Sequence, residues 1–140
     1  MKKLEVKSIN GEKLDLNQLY NSTHLLLIFY NNQCLGCTGR ALPLAYEFTK
    51  KFKNIQVIGI HVDFSNREIN EDEIVEIFTS KTLPFPIYKD IDLNLYDHFR
   101  CEGTPHWILL NKNRKVVNSI FGSQAAAHNR LLYAIEELEG

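Results

Sequence analysis

Apolar and polar residues alternate from Leu4 to Ile9, the spacing of a strand with one buried face, and Asn10-Gly11 follows as a turn signal. A short opening hairpin or edge strand is expected there. Asp15 stands as an N-cap before Leu16, Leu19 and Tyr20, which predicts one or two helical turns. The alternation then stops. His24 to Tyr30 is an apolar run of strand length, which predicts a central parallel strand covered on both faces. Ala41, Leu44, Ala45, Phe48 and Phe52 recur at helical spacing, so Cys37 to Phe52 is expected to be an amphipathic helix, kinked at Pro43 and ending among Lys50, Lys51 and Lys53.

Ile55 to Val62 repeats the buried-strand pattern, and Ile74, Val75, Ile77 and Phe78 mark a helix inserted in the middle of the chain. Pro84 to Tyr88 reads as extended, Leu93 to Phe99 as a short helix, and Gly103-Thr104-Pro105 as a tight loop. His106 to Leu110 and Lys115 to Phe121 are strands around an Asn111 to Arg114 turn, and Ala125 to Leu138 is a closing helix. Parallel strand–helix–strand first, an antiparallel hairpin second and a returning helix make an α/β fold, a central mixed sheet flanked by helices. Neither a repeat nor a linker interrupts residues 1–140, so a single domain is expected.

Composition narrows the function classes. Hydrophobic residues make up 44% of the 140, charged residues 24%, and the net charge is −1, a balance that favours neither disorder nor a nucleic-acid partner. The opening MKKLEVKSIN does not run into an apolar segment, and no apolar stretch is long enough to span a membrane. As written, the chain is expected to be cytoplasmic, without a membrane partner and monomeric; had a signal peptide been removed, it would be periplasmic or otherwise extracytoplasmic. Three cysteines are too few for a disulfide-stapled secreted scaffold, so attention falls on Cys34 and Cys37 at C-x-x-C spacing, where the buried strand runs into the helix.

Disulfide exchange needs an attacking thiolate, an accessible sulfur and a second thiol that expels the partner from the mixed disulfide. A helix beginning at Cys34 would face that sulfur with unpaired backbone N–H groups, and Cys37 would follow one turn later to close the ring. Two other readings exist for the pair: small buried hydrophobes, or half of a zinc site. Cys101, His61, His98 and His106 offer no second paired spacing, so neither metal nor organic cofactor is expected. Cys101 and Trp107, with the Phe and Tyr residues, read as core, and Lys112, Arg114 and Lys115 as a solvated hairpin. His106 is either a tuner of the Cys34 pKa or a strand histidine facing away.

With LLLIFYNN leading into CLGC, a proline at Pro43 in the following helix, the PFPIYKD segment and GTPHWILLNKNRKVV in this order, the chain resembles the thioredoxin superfamily, in particular the thiol-disulfide oxidoreductases related to TlpA and ResA. The resemblance implies Cys34 as exposed nucleophile, Cys37 as resolving thiol and a cis Pro105 beside them. Leu35, Gly36, Thr104 and Pro105 would form the surface that meets an extended substrate segment. Its partners would be protein disulfides and a thiol protein that donates or accepts electrons.

The chain departs from its relatives at four places. Ile28 stands where thioredoxins carry a proton-relay aspartate, Arg40 where the ResA-like branch has a glutamate, and Gln33 where a tryptophan is usual. Arg40 is thereby a candidate to tune the sulfurs, and Glu47 and Asp63 are candidate substitutes for the relay. Pro43 comes one residue later than usual, and one residue turns a helix face by about 100°. A π-bulge eased by Gly39 is therefore expected between Cys37 and Pro43. Two rival functions are a redox-silent binding module of the same fold and a peroxiredoxin. The peroxiredoxin pattern wants a threonine three residues before the cysteine, where this chain has Asn31.

Overall fold

The computed structural model describes residues 3–65 and 67–139. Seven strands form one sheet: β1 (Glu5–Lys7), β2 (Lys13–Asp15), β3 (His24–Tyr30), β4 (Ile55–His61), β5 (Ile87–Lys89), β6 (His106–Leu110) and β7 (Val116–Phe121). Their spatial order is β2-β1-β5-β4-β3-β6-β7. β3 pairs in parallel with β4 and antiparallel with β6, and β4 pairs in parallel with β5, so the uninterrupted apolar run lies at the centre of a mixed sheet. The opening alternation becomes the β1–β2 edge hairpin.

Because side chains alternate across a strand, β3 feeds two cores. Leu26, Ile28 and Tyr30 face the layer formed by α2 (Leu42–Lys51), α3 (Glu71–Glu76) and α5 (Ala125–Glu139), packing with Phe48, Ile74 and Leu131. Leu25, Leu27 and Phe29 face the opposite side, where α1 (Leu16–Leu19) and α4 (Asn94–His98) contribute Leu16 and Leu95. α1 is capped by the Asp15 side chain, and α3 carries a capping box in which Asn70 and Glu73 satisfy each other's backbone N–H.

The helix expected from Cys37 to Phe52 is not uniform. Residues Cys37–Ala41 form a π-turn, in which the Leu42 N–H reaches back five residues to the Cys37 carbonyl, before regular α2 begins. The wide turn absorbs the extra residue ahead of Pro43, and it puts that proline, which has no N–H to donate, in the first turn of α2. The inserted helix is shorter than its apolar pattern suggested. It ends at Glu76, and a 3₁₀ turn over Thr79–Lys81 follows.

Two expectations about side chains are corrected. Trp107 is buried, but Tyr46, Phe64, Phe121 and Tyr133 are exposed, so the aromatics are not uniformly core. Arg114 is not a solvated hairpin cation. Its backbone is left-handed at φ 67, and its guanidinium donates to Asn17 Oδ1 and to the carbonyls of Tyr20 and Thr23. It thereby ties the β6–β7 turn to the end of α1, where helix carbonyls lack intrahelical partners.

Candidate active site

The loop between β3 and the helix is laced to its neighbours by its two asparagines. Asn31 Nδ2 donates to the Val62 carbonyl at 2.7 Å, and Asn31 Oδ1 accepts from the Gln33 N–H at 2.7 Å. Asn32 N–H donates to His61 Nε2 at 3.3 Å and Asn32 Nδ2 to the Glu73 carbonyl at 2.9 Å. The end of β4 and α3 thus fix where the helix starts. At that start the Cys34 carbonyl accepts from both Cys37 N–H and Thr38 N–H at 3.1 Å.

The two sulfurs differ in surroundings. Cys34 Sγ is half-buried, accepts the Cys37 N–H at 3.2 Å and lies 3.4 Å from the Thr104 carbonyl oxygen. Cys37 is wholly buried in the α2 core beside Ile28 and Tyr30. Burial, and next the neighbouring Cys34 sulfur, push the Cys37 thiol up to about 12, while the Asn31 backbone and the Thr104 side chain pull weakly the other way.

Across from Cys34, the Thr104–Pro105 peptide bond is cis, and the Pro105 carbonyl accepts from Gly122 N–H at 2.9 Å. A Cβ at Gly36 would lie 3.0 Å from Ser123 Oγ and 3.8 Å from Pro105 Cδ, so glycine lets the motif approach the proline loop closely. Leu35 projects into solvent, 85% exposed. The structure therefore gathers Cys34, Cys37, Leu35, Gly36, Thr104 and Pro105 at one end of the sheet.

The two candidate tuning residues lie elsewhere. Arg40 is exposed and donates to Gln124 Oε1 at 3.2 Å, away from the sulfurs. His106 is buried on the other side of the sheet, with Nδ1 accepting from Glu102 N–H at 3.2 Å and Nε2 2.8 Å from Ser119 Oγ. A strand residue adjacent to Trp107, which faces the α2 core, must point the opposite way. Glu47 pairs with Lys50 and Asp63 with Ser65, so neither carboxylate is engaged as a relay. Cys101 packs against the opposite core, where burial and then Asp90 and Asp97 push its thiol up to about 12.

Several residues around the motif were not singled out by pattern. Asn31 was noted only where the peroxiredoxin pattern wants a threonine, and Asn32 only within LLLIFYNN. Gly59 was legible in principle, since an isolated glycine inside a strand marks close approach. A Cβ there would meet Phe85 at 3.1 Å, Ile87 at 3.2 Å and Tyr30 at 3.5 Å.

Comparison with known proteins agrees with the fold. The AhpC/TSA family model matches residues 1–119. The thioredoxin-like protein SkfH of Bacillus subtilis (strain 168) is 25% identical over 113 residues, 76% of this chain and 79% of that protein. The thiol-disulfide oxidoreductase YkuV of the same organism is 28% identical over 111 residues, 74% of each chain. Among solved structures, the exposed lipoprotein thioredoxin Etrx1 of Streptococcus pneumoniae strain TIGR4 superposes with a TM-score of 0.76 at 19% identity, covering 98% of this chain and 100% of that one. A thiol-disulfide isomerase from Corynebacterium glutamicum gives 0.76 at 21% identity, with 98% and 95% covered. On a thioredoxin fold, with a family model that matches most of its length, the chain belongs to the AhpC/TSA family and, within the thioredoxin superfamily, to the thiol-disulfide oxidoreductases.

Proposed function

We propose that Cys34 and Cys37 are the redox pair with which this oxidoreductase exchanges electrons with protein disulfides. The observation that carries the reading is the asymmetry of the two sulfurs, one reachable at the helix start and one buried a turn behind it. In the reducing direction the Cys34 thiolate attacks one sulfur of a substrate disulfide, and the other substrate sulfur leaves with the electron pair. Cys37, as thiolate, then attacks Cys34 Sγ. The mixed disulfide breaks, the substrate departs as a dithiol after taking up two protons, and the enzyme is left oxidised between Cys34 and Cys37. A partner thiol protein resets the pair. The Cys37 N–H, 3.2 Å from Cys34 Sγ, is aimed at the sulfur that carries charge at the start and receives it again on reduction.

Leu35, Gly36, Thr104 and Pro105 form the contact surface. Thr104 offers its backbone groups beside Cys34 to an extended polypeptide, which would pair with them as in strand addition. Outside the cytoplasm, where protein disulfides persist, the dithiol form acts as a reductant or isomerase; in a reducing cytoplasm it is a reductant.

Insulin reduction with dithiothreitol as electron source tests the reading, run beside Cys34→Ser and Cys37→Ser. Turnover above the dithiothreitol background is expected from the native protein and from neither variant. Activity that survives Cys34→Ser would end the proposal. Fast peroxide consumption dependent on Cys34, without insulin reduction, would favour a peroxidase. Failure of both assays would leave a binding module.

A further inference from the structure

The proposed reaction leaves Cys37 with a difficulty. To attack Cys34 it must lose its proton in an apolar core, and the aspartate position that serves other thioredoxins is Ile28, itself wholly buried beside it. In the core cluster of Cys37 and beside it, however, the Tyr30 hydroxyl and His61 Nδ1 are buried without a hydrogen-bond partner among the described residues, as is Asn32 Oδ1 next to them. Buried polar atoms without partners are rare and ask for an explanation. The first two are neighbours. Tyr30 and His61 are paired residues on β3 and β4, and their rings meet edge to face at 5.2 Å between centroids.

The hydrogen-bond pattern orients the pair. Asn32 N–H donates to His61 Nε2, so the neutral ring carries its proton on Nδ1 and presents a buried donor. The ring is neutral near pH 7, because burial drives His61 down to about 4 against the opposing pull of Asp63 and Glu73 and with a small contribution from Lys89. Tyr30 packs in the same cluster as Cys37, and its phenol is held protonated by burial and by the Cys37 charge. At its other end, His61 lines a groove of about 610 Å³ shared with Asn31, Asn32 and Asp63. The pair thus lies between the core cluster that holds the buried sulfur and this groove.

We propose that Tyr30 and His61 form a polar relay that supports the Cys37 thiolate during release of the mixed disulfide. The Tyr30 O–H turns to the sulfur as charge develops, directly or through one water, and His61 Nδ1–H donates to the phenol oxygen behind it. Tyr30 acts on the reacting atom; His61 is a positioning residue. The Cys37 proton leaves to solvent, the Cys37–Cys34 bond forms, the Cys34–substrate bond breaks, and the substrate thiolate takes up a proton. This rests on the redox reading above.

Single-turnover reaction with reduced insulin's parent disulfide, intact insulin, separates attack by Cys34 from release by Cys37. In Tyr30→Phe, which keeps the ring, attack should be unchanged while release at pH 7 slows by roughly tenfold or more, the factor of one hydrogen bond to a charged group, and its pH midpoint rises. His61→Phe should move the same midpoint upward by less. Release in Tyr30→Phe with an unchanged rate and midpoint overturns the relay while leaving the redox pair intact. A Tyr30→Phe protein that fails to fold leaves His61→Phe to decide by the same midpoint. No attack phase in the native protein overturns the redox reading, and the relay with it.

Discussion

Arg114 and Cys37 show how much of this molecule is decided by a single side chain's neighbours. A basic residue in a hairpin turn reads as solvated from sequence, because nothing nearby in the chain announces the carbonyls of Tyr20 and Thr23 that it binds from more than ninety residues away. Arg114→Ala should therefore cost about 2 kcal/mol or more of stability by removing several hydrogen bonds to a charged group at once. Denaturant unfolding checks this; a midpoint unchanged from the native protein would contradict it. Cys34 and Cys37 stood out as candidates because their spacing is itself suited to the proposed chemistry. Tyr30, His61 and the two loop asparagines did not, since their contacts come from adjacency between β3, β4 and α3, which pattern along one strand does not encode.

Among the elements, the central strands and the closing helix could be read almost to their ends, because continuous apolar runs and helical periodicity follow directly from burial. The π-turn over Cys37–Ala41 was legible too, from the one-residue displacement of Pro43. Inserted α3 was read too long, since Ile77 and Phe78 continue the apolar spacing but leave the helix for an irregular turn. The π-turn sets the rotation of Cys37 against the buried face of α2. Deleting Gly39 removes the surplus residue and would turn the motif by about 100° relative to that face. We expect the Gly39 deletion to lose at least roughly tenfold in disulfide-reduction rate with little change in far-UV circular dichroism. Full activity in the deletion would show that the wide turn does not position the sulfur.

For the molecule as a whole, the mixed sheet with helices on both faces followed from the order of patterns, whereas the assignment of residues to one core or the other needed the register. That assignment separates His106 and Cys101 from the two thiols, although both neighbour the Thr104–Pro105 loop in sequence. A single domain over residues 1–140 predicts one unfolding transition, followed both by circular dichroism and by the fluorescence of the lone Trp107. Its stability should fall on acidification. His61 is held at about 4 when folded against an ordinary 6.5, so between these values the unfolded chain binds more protons and stability drops as pH falls. Asp90, raised by burial, acts in the opposite sense nearer its own ordinary value. The loss between pH 6.5 and 5 should shrink in His61→Gln, and an equal slope in both proteins would contradict the assignment. The central claim is tested most directly by incubating Cys37→Ser with a disulfide-bearing polypeptide and mapping the covalent adduct by mass spectrometry. One mixed disulfide on Cys34 is the expected result; an adduct on Cys101, or none, would contradict it.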